Sequence, residues 1–189
     1  MINIKTVRVG ALRTCCYIVS GDDGIAVIID PGAEPGRIEE ALEKEGLTPS
    51  AILLTHGHFD HIGAVDELVK KYGIPVYINR EDEELLTDPE KNVSTRISET
   101  DIICLTPAVT FGDGDVLSFG SLKFRVMHTP GHTKGCSCFF AGDVVFTGDT
   151  LFHGGYGRTD VYGGSSAVLR ESLRRLLPEV EGKEFYPGH

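Results

Sequence analysis

The features that would place a protein in a membrane or on a nucleic acid are missing from this sequence. No apolar run approaches the roughly 20 residues of a transmembrane helix. The N-terminus lacks the basic start, apolar stretch and small-residue cleavage site of a signal peptide. The 18 basic residues are outnumbered by 28 acidic ones, which gives a formal net charge of −10, and no basic stretch is present to neutralise phosphates. We therefore expect neither a membrane nor a nucleic acid as a partner.

Cysteine is also scarce, with five residues in the chain. The number is odd, and the neighbours Cys15 and Cys16, like Cys136 and Cys138, are too close in sequence to pair well with each other. This usage is typical of a reducing compartment. We expect five buried thiols and a cytoplasmic protein, and we assign no catalytic role to Cys136 or Cys138.

The length and the apolar pattern predict one domain over residues 1–189 that mixes strands and helices. The chain is long enough for a substantial core, and its hydrophobic content of 41% is ordinary for a globular protein. Strands are expected at 16–20, 25–29, 51–54, 74–78, 116–119, 122–127, 138–140 and 144–147, and helices at 38–45, 64–72, 81–86 and 166–177. Pro178 is expected to stop the last helix. Residues 87–108 are polar and are predicted to form a lid-like segment over the site.

The strongest functional signal is the segment 55–61, THGHFDH, which directly follows an apolar strand. It places His56, His58, Asp60 and His61 within six positions, although the whole chain has only 7 histidines. Imidazole and carboxylate are ligands for zinc and iron. Residues two apart beyond a strand can face one pocket, and the turn that follows can aim Asp60 and His61 at a neighbouring ion.

Four ligands cannot close two metal sites, and three more candidates stand at predicted strand ends. They are His132, Asp149 and His189, and each follows a glycine that permits a tight turn. The spacing therefore predicts a metal centre assembled from both halves of the chain.

With these motifs in order, the chain resembles the metallo-β-lactamase superfamily over nearly its whole length. The resemblance implies a four-layer αββα sandwich, an α/β (α+β) fold of two mixed sheets with outer helices and a metal site at the sheet edge. By position, it implies that a first ion is held by His56, His58 and His132 and a second by Asp60, His61 and His189. Asp149 would bridge both ions, and Asp30 would support the cluster loop. The implied cofactor is a pair of divalent ions, zinc in the first place, with iron or manganese as alternatives.

Within the superfamily, Asp149 at the bridging position looks unlike the β-lactamases, which carry cysteine there. The strings 146–152 and 128–133 are similar to the glyoxalase II-like group, which includes hydroxyacylglutathione hydrolases and persulfide dioxygenases. No residues beyond His189 are present to build the C-terminal helical domain of full-length glyoxalase II. We therefore expect a short, single-domain member.

The implied activity is hydrolysis of a small thioester by a metal-bound hydroxide, with Asp60 and Asp149 as the catalytic carboxylates. Candidate substrate contacts are Lys134, Tyr156, Arg158 and His153, although Arg158 and Asp160 can instead form a structural ion pair. A different enzyme class remains open, a mononuclear iron persulfide dioxygenase that uses two histidines and Asp149 as ligands. A purely structural zinc site is disfavoured, because such sites are closed and usually rich in thiolate.

Overall fold

The computed structural model describes residues 2–189, and its framework is a pair of β-sheets. The first sheet has six strands in sequential order. Its first two strand pairs are antiparallel, and its last three pairs are parallel. These strands are β1 (Asn3–Val9), β2 (Thr14–Ser20), β3 (Ile25–Ile29), β4 (Thr48–Leu53), β5 (Val76–Asn79) and β6 (Ala108–Phe111).

The second sheet has five strands in the order β13-β10-β9-β8-β7. Its pairs are antiparallel except for β13, which runs parallel to β10. The strands are β7 (Val116–Phe119), β8 (Leu122–His128), β9 (Ser137–Ala141), β10 (Val144–Gly148) and β13 (Glu184–Pro187), and a small separate hairpin is formed by β11 (Leu151–Phe152) and β12 (Gly155–Tyr156).

Three hydrophobic cores divide the molecule into four layers. In β2, Cys16 and Ile18 point to the outer face of the first sheet, whereas Cys15, Tyr17 and Val19 point to the second sheet, as the two-residue period of a strand requires. The outer core lies under two helices, α1 (Pro35–Glu45) and α3 (Val65–Tyr72), and the third core lies under α5 (Ser166–Val180). The expected αββα sandwich is thereby confirmed. Strand β2 carries apolar residues on both of its faces because both faces are covered.

Most of the predicted elements are present, and α5 is the clearest correction. Pro178 does not stop this helix, which continues to Val180. Val180 is buried in the third core beside Leu176, so packing of the last turn outweighs the backbone hydrogen bond that proline removes. Strands β1, β6 and β13 and the hairpin β11–β12 were not predicted.

The remaining predictions concern short segments and the thiols. Residues 81–86, expected as a helix, form a 3₁₀ helix at Arg80–Leu85, and the segment 87–108 contains a one-turn helix α4 (Ser94–Ile97). All five cysteines are free and buried, as expected. Among residues 2–189, no helix has both the length and the apolarity that a membrane span requires.

Candidate metal centre

The histidine-rich segment lies where β4 ends, at the edge that the two sheets share. The chain leaves β4, passes His56 and His58 in extended backbone, and then turns into the short helix α2 (Phe59–Ile62). This turn separates the segment into two pairs, because His56 and His58 precede the helix while Asp60 and His61 lie on it. Along the chain this division follows the sequence spacing, but the pairs meet in space, because the ring centroids of His56 and His61 are 4.1 Å apart and both can join Asp149 in one ligand group.

The first pair meets His132, which follows β8. The ring centroids of His58 and His132 are 4.6 Å apart, and those of His56 and His132 are 5.0 Å apart. His56 Nε2 lies 3.1 Å from His58 Nδ1. All three rings are buried, and one nitrogen of each lies within 4.8 Å of the others. This arrangement suits one metal ion bound by three imidazoles.

The second pair meets His189, which follows β13. His189 Nε2 lies 3.2 Å from Asp60 Oδ2, and His61 Nε2 lies 3.6 Å from the same oxygen. Gly188 is required here because a Cβ atom at that position would lie 2.2 Å from the Asp149 carboxylate. Asp60, His61 and His189 form a second group able to hold a metal ion.

Asp149 lies between the two groups. Its Oδ1 is 3.5 Å from His61 Nε2, and its Oδ2 is 3.5 Å from both His132 Nε2 and His189 Nε2. Gly148, with φ +47°, makes the turn that presents this carboxylate, and a Cβ there would collide with Thr55. One carboxylate thus faces both ligand groups, which is the position of a bridging ligand.

Asp30 supports the cluster from the end of β3. It adopts φ 52°, a left-handed conformation that is uncommon for residues other than glycine. In this conformation its carboxylate accepts hydrogen bonds from Thr55 N at 2.8 Å and from Thr55 Oγ1 at 2.6 Å, and it lies 2.9 Å from His61 Nδ1. A carboxylate at Nδ1 orients the ring and leaves Nε2 for a metal ion.

His58 directs its Nδ1 toward His56 Nε2. The other three histidine rings, those of His56, His132 and His189, are oriented by backbone carbonyls and a hydroxyl group. His132 Nδ1 donates to the carbonyl of Arg158 at 2.7 Å, and His189 Nδ1 donates to that of Leu12 at 3.3 Å. His56 Nδ1 lies 3.1 Å from Thr55 Oγ1. In each of these rings Nε2 is therefore directed into the cluster.

Burial and charge divide the centre electrostatically. Burial lowers the pKa of His56 and of His58 well below the ordinary value, with neighbouring histidines adding to the shift, so both rings are neutral. Burial also disfavours charge on His61, but the carboxylates of Asp60, Asp30 and Asp149 outweigh it and raise its pKa to about 10. The half of the cluster that contains the carboxylates therefore favours a positive charge, which a divalent cation can supply.

Several buried polar atoms fit a metal ion better than a protein contact. Among residues 2–189, six buried side-chain polar atoms have no hydrogen-bond partner, and five of them belong to the cluster: His58 Nε2, His61 Nδ1, His61 Nε2, His132 Nε2 and Asp149 Oδ1. Unsatisfied buried groups of this kind are costly. The donor set of imidazole and carboxylate is suited to zinc, iron or manganese.

Asp82, which sequence reasoning missed, links the two loops that carry the histidines. This buried carboxylate accepts hydrogen bonds from Gly57 N at 3.1 Å, Gly135 N at 2.6 Å and Thr133 Oγ1 at 2.6 Å. Gly57 lies between His56 and His58, and Thr133 follows His132. In the sequence Asp82 is one of four consecutive acidic or polar residues of a short helix, which gives no signal of this role.

A cleft of about 330 Å³ opens onto the cluster. Its walls include Leu12, Phe59, Val93, Ile97, Phe152 and Val161, together with Arg158 and cluster residues. The walls are mainly apolar, and the segment 87–108 contributes Val93 and Ile97, in agreement with the prediction that this segment covers the site.

Of the four proposed substrate contacts, only Arg158 lines this cleft. Arg158 Nε and Asp160 Oδ1 are 2.7 Å apart in an exposed ion pair. Lys134 instead contacts Glu84 and Tyr162, and Tyr156 is exposed in β12. His153 stacks on Phe185 with ring centroids 4.4 Å apart. His153 is not among the residues that line the cleft, and its role in substrate binding stays a prediction.

Comparison with known proteins places this geometry in a family. The chain is 39% identical to the probable metallo-hydrolase YqgX of Bacillus subtilis, over 98% of this chain and 89% of that protein. It is 34% identical to the hydroxyacylglutathione hydrolase GloC of Haemophilus influenzae, over 100% of this chain and 91% of that protein.

Solved structures of several proteins are also similar to this chain. A structure described as the B3 metallo-beta-lactamase BLEG-1 has 39% identity and a TM-score of 0.94, over 100% of this chain and 91% of that chain. TTHA1623 in a di-iron-bound form has 38% identity and a TM-score of 0.88, over 98% and 91%. ETHE1 from Myxococcus xanthus has 29% identity and a TM-score of 0.80, over 99% and 75%. Such overall similarity to a protein described as a β-lactamase was not expected from Asp149.

The family model for the metallo-beta-lactamase superfamily matches residues 9–189, a span that contains all seven clustered side chains. Together with the two packed sheets and the His/Asp cluster at their shared edge, this match shows that the chain belongs to the metallo-beta-lactamase superfamily.

Proposed function

We propose that this chain is a metal-dependent hydrolase that cleaves thioesters. The observation that carries the proposal is the placement of Asp149 between two complete ligand groups, beside a cleft with apolar walls. His56, His58 and His132 would hold one ion, Asp60, His61 and His189 the other, and Asp149 both. When bound, a pair of divalent ions lowers the pKa of a shared water and polarises the carbonyl group to be attacked.

Asp60 and Asp149 are the two cluster carboxylates that line the cleft. Asp60 is fixed by a hydrogen bond of 2.7 Å from Thr14 Oγ1. Burial disfavours its charged form, but His61, His189 and Thr14 outweigh burial and hold the pKa of Asp60 below its ordinary value. A fixed, ionised carboxylate at the cleft can accept a hydrogen bond from the attacking water and orient it. We assign this positioning of water to Asp60.

The chemistry of the leaving group favours a thioester over an amide. In hydrolysis a C–O bond forms, the C–S bond breaks, and the products are a carboxylic acid and a thiol. Thiols ionise near pH 8.5, so a thiolate leaves without prior protonation, whereas an amine needs a proton donor. Outside the metal cluster, the described residues that line the cleft include no tyrosine, cysteine or glutamate to donate one. The similarity to the hydroxyacylglutathione hydrolase GloC adds support from sequence for a thioester as the substrate class.

The test is turnover by purified protein of measured metal content. S-lactoylglutathione and simpler thioesters should release free thiol, and a β-lactam panel should be cleaved far more slowly. Asp60→Ala should abolish thiol release while leaving the circular dichroism spectrum unchanged. Asp143→Ala, which removes an exposed carboxylate in the turn between β9 and β10, at the end of β10 opposite Asp149, is the matched control and should retain activity. If no thioester releases thiol, the proposal is wrong.

A second candidate is a mononuclear iron oxygenase that acts on a thiol persulfide. This chain shares the fold of ETHE1 from Myxococcus xanthus, 29% identical, and TTHA1623, 38% identical, was solved with iron, although with two ions rather than one. Two histidines with Asp149 would then hold a single iron and leave positions open for oxygen and the substrate. About one iron per chain, with oxygen uptake on addition of persulfide, would favour this candidate. We rank hydrolysis first because seven candidate ligands, rather than three, lie in overlapping groups of three whose ligand atoms are within 4.8 Å of one another.

A further inference from the structure

The cleft above the cluster continues into a second compartment. This neighbouring cavity has a volume of about 460 Å³ and shares Leu12, Phe59, Asp60 and Ile97 with the cleft. It extends between the loop that joins β1 to β2 and the residues that follow α4. A substrate whose reacting carbon lies at the metal cluster therefore has room for one long arm beyond Leu12 and Ile97.

Two of the four residues shared by the compartments are aliphatic and exposed, while the other two, Phe59 and Asp60, form the side toward the cluster. Leu12 and Ile97 leave 43% and 49% of their surface accessible although both are large apolar residues. Single exposed aliphatic residues are ordinary, but contiguous ones beside a binding cleft indicate a ligand surface. Ala33 and Ile102 extend the same apolar surface inside the second compartment.

Val93 adds backbone strain to this wall. It adopts φ 63°, which is a true outlier for a β-branched residue. Its side chain is nevertheless buried and lines the cleft. The conformation is held by the preceding residue, because Asn92 donates to the carbonyls of Leu85 and Ile102 and its own carbonyl accepts from Phe59 N. The fold thus retains a strained residue whose side chain faces the substrate, as binding sites often do.

The charges that line the compartments argue against an anionic arm. Among the described residues, Arg158 is the one lysine or arginine that lines either compartment, and Asp160 already pairs with it. The second compartment is lined by Asp60 and Glu99 and by no lysine or arginine. Arg13 and Arg96 are sequence neighbours of the wall but line neither space. A carboxylate placed there would meet acidic groups without a partner.

From these contacts we infer that the second compartment is a subsite for an uncharged aliphatic arm of the substrate, and that Leu12 and Ile97 border its entrance. The inference rests on the proposed thioester hydrolysis and names its substrate class, a thioester with a neutral alkyl chain rather than a glutathione conjugate. The alkyl chain can belong to the acyl group or to the thiol.

Chain-length series on each side of the thioester test the subsite. The acyl arm is compared as acetyl and hexanoyl thioesters of N-acetylcysteamine, and the thiol arm as acetyl thioesters of ethanethiol and hexanethiol. A fully buried methylene corresponds to about fourfold in kcat/KM, and a half-exposed wall to about twofold, so the longer chain should gain about tenfold on one side. The kcat/KM for hexanoyl-N-acetylcysteamine should also exceed that for hexanoylglutathione. Absence of any chain-length gain, or preference for the glutathione thioester, would overturn the inference.

Ile97→Asp places a carboxylate between the compartments. It should reduce the ratio of kcat/KM for the longer chain to kcat/KM for the shorter chain to near one. Val116→Asp makes the same chemical change on an exposed strand position away from both spaces, and its ratio should match that of the wild type. An equal loss of ratio in both variants would count against a specific role of Ile97.

A binding measurement separates failure of the subsite from failure of the proposed function. Thioether analogues of the same compounds cannot be hydrolysed, and their affinities can be measured by calorimetry. On one of the two arms, the six-carbon analogue should bind about tenfold more tightly than the two-carbon analogue, and Ile97→Asp should remove the difference. If the analogues show this difference but no thioester is cleaved, the reaction is wrong and the subsite stands. If thioesters are cleaved without it, the subsite is wrong.

Discussion

Asp82→Asn tests whether one buried carboxylate sets the distance between the two histidine loops. The carboxylate accepts three hydrogen bonds, two from backbone N–H groups and one from a hydroxyl group. Asparagine keeps the shape of the side chain but replaces one acceptor oxygen with an NH₂ group. If that group faces Gly135 N, two donors meet at a separation of 2.6 Å and at least one bond is lost.

The expected cost follows from these contacts. Hydrogen bonds to a charged group contribute about 1.5–3 kcal/mol and neutral ones about 1 kcal/mol, so two weakened bonds and one lost bond cost about 4 kcal/mol. Part of this is offset because burial opposes ionisation of Asp82 and raises its pKa, although its three donors act against the shift. A net loss of about 2–3 kcal/mol in the free energy of unfolding remains, which corresponds to about 5–10 °C in the unfolding temperature for a chain of this size.

The assay is urea unfolding together with metal content after equilibration with limiting zinc. Asp82→Asn should lower both the unfolding midpoint and the zinc bound per chain, since His58 and His132 lose their common anchor. Glu83→Gln makes the same chemical change on the next, exposed residue and should alter neither. A wild-type midpoint and full zinc content in Asp82→Asn would refute the argument that this carboxylate positions the loops.

Three further changes probe the cluster. Asp149→Asn keeps the size of the bridging residue but removes its charge, and metal analysis should show a fall from about two ions per chain to about one or none; unchanged content would exclude bridging. Gly188→Ala places a Cβ 2.2 Å from Asp149 Oδ1 and should displace His189 and lower metal content, whereas Gly36→Ala, which meets nothing within 4 Å, should not. Treatment with a chelator should lower the unfolding temperature by calorimetry, because an ion that binds only the folded chain adds about 4 kcal/mol at a thousandfold excess over its Kd; equal temperatures with and without chelator would contradict this.

Much of the centre could be predicted from the sequence because its chemistry is concentrated in short motifs. His56, His58, Asp60 and His61 are adjacent in sequence, and each of the other three candidates follows a glycine at a strand end. Local patterns of this kind survive without knowledge of the fold. The structure brings all seven side chains together, although their role as ligands is still a prediction.

The features that escaped prediction depend on long-range contacts. Strand β13 is four residues long and pairs with β10 from nearly 40 residues away, so its own sequence carries little periodic signal. Asp82 stands in a polar run and becomes important only because Gly57 and Gly135 approach it. The packing of Val180 in the third core likewise extends α5 beyond Pro178. In each case the deciding partner is distant in the sequence.

The walls of the cleft have a consequence for how this fold diversifies. Leu12, Val93 and Ile97 shape the cleft with their side chains, whereas the ligand loops are held by Asp30, Asp82 and backbone carbonyls. Substitution of the three wall side chains leaves those hydrogen bonds in place. Selection can therefore change which molecule reaches the cluster without rebuilding the cluster itself. Proteins as differently described as GloC and BLEG-1 can then share one scaffold with this chain.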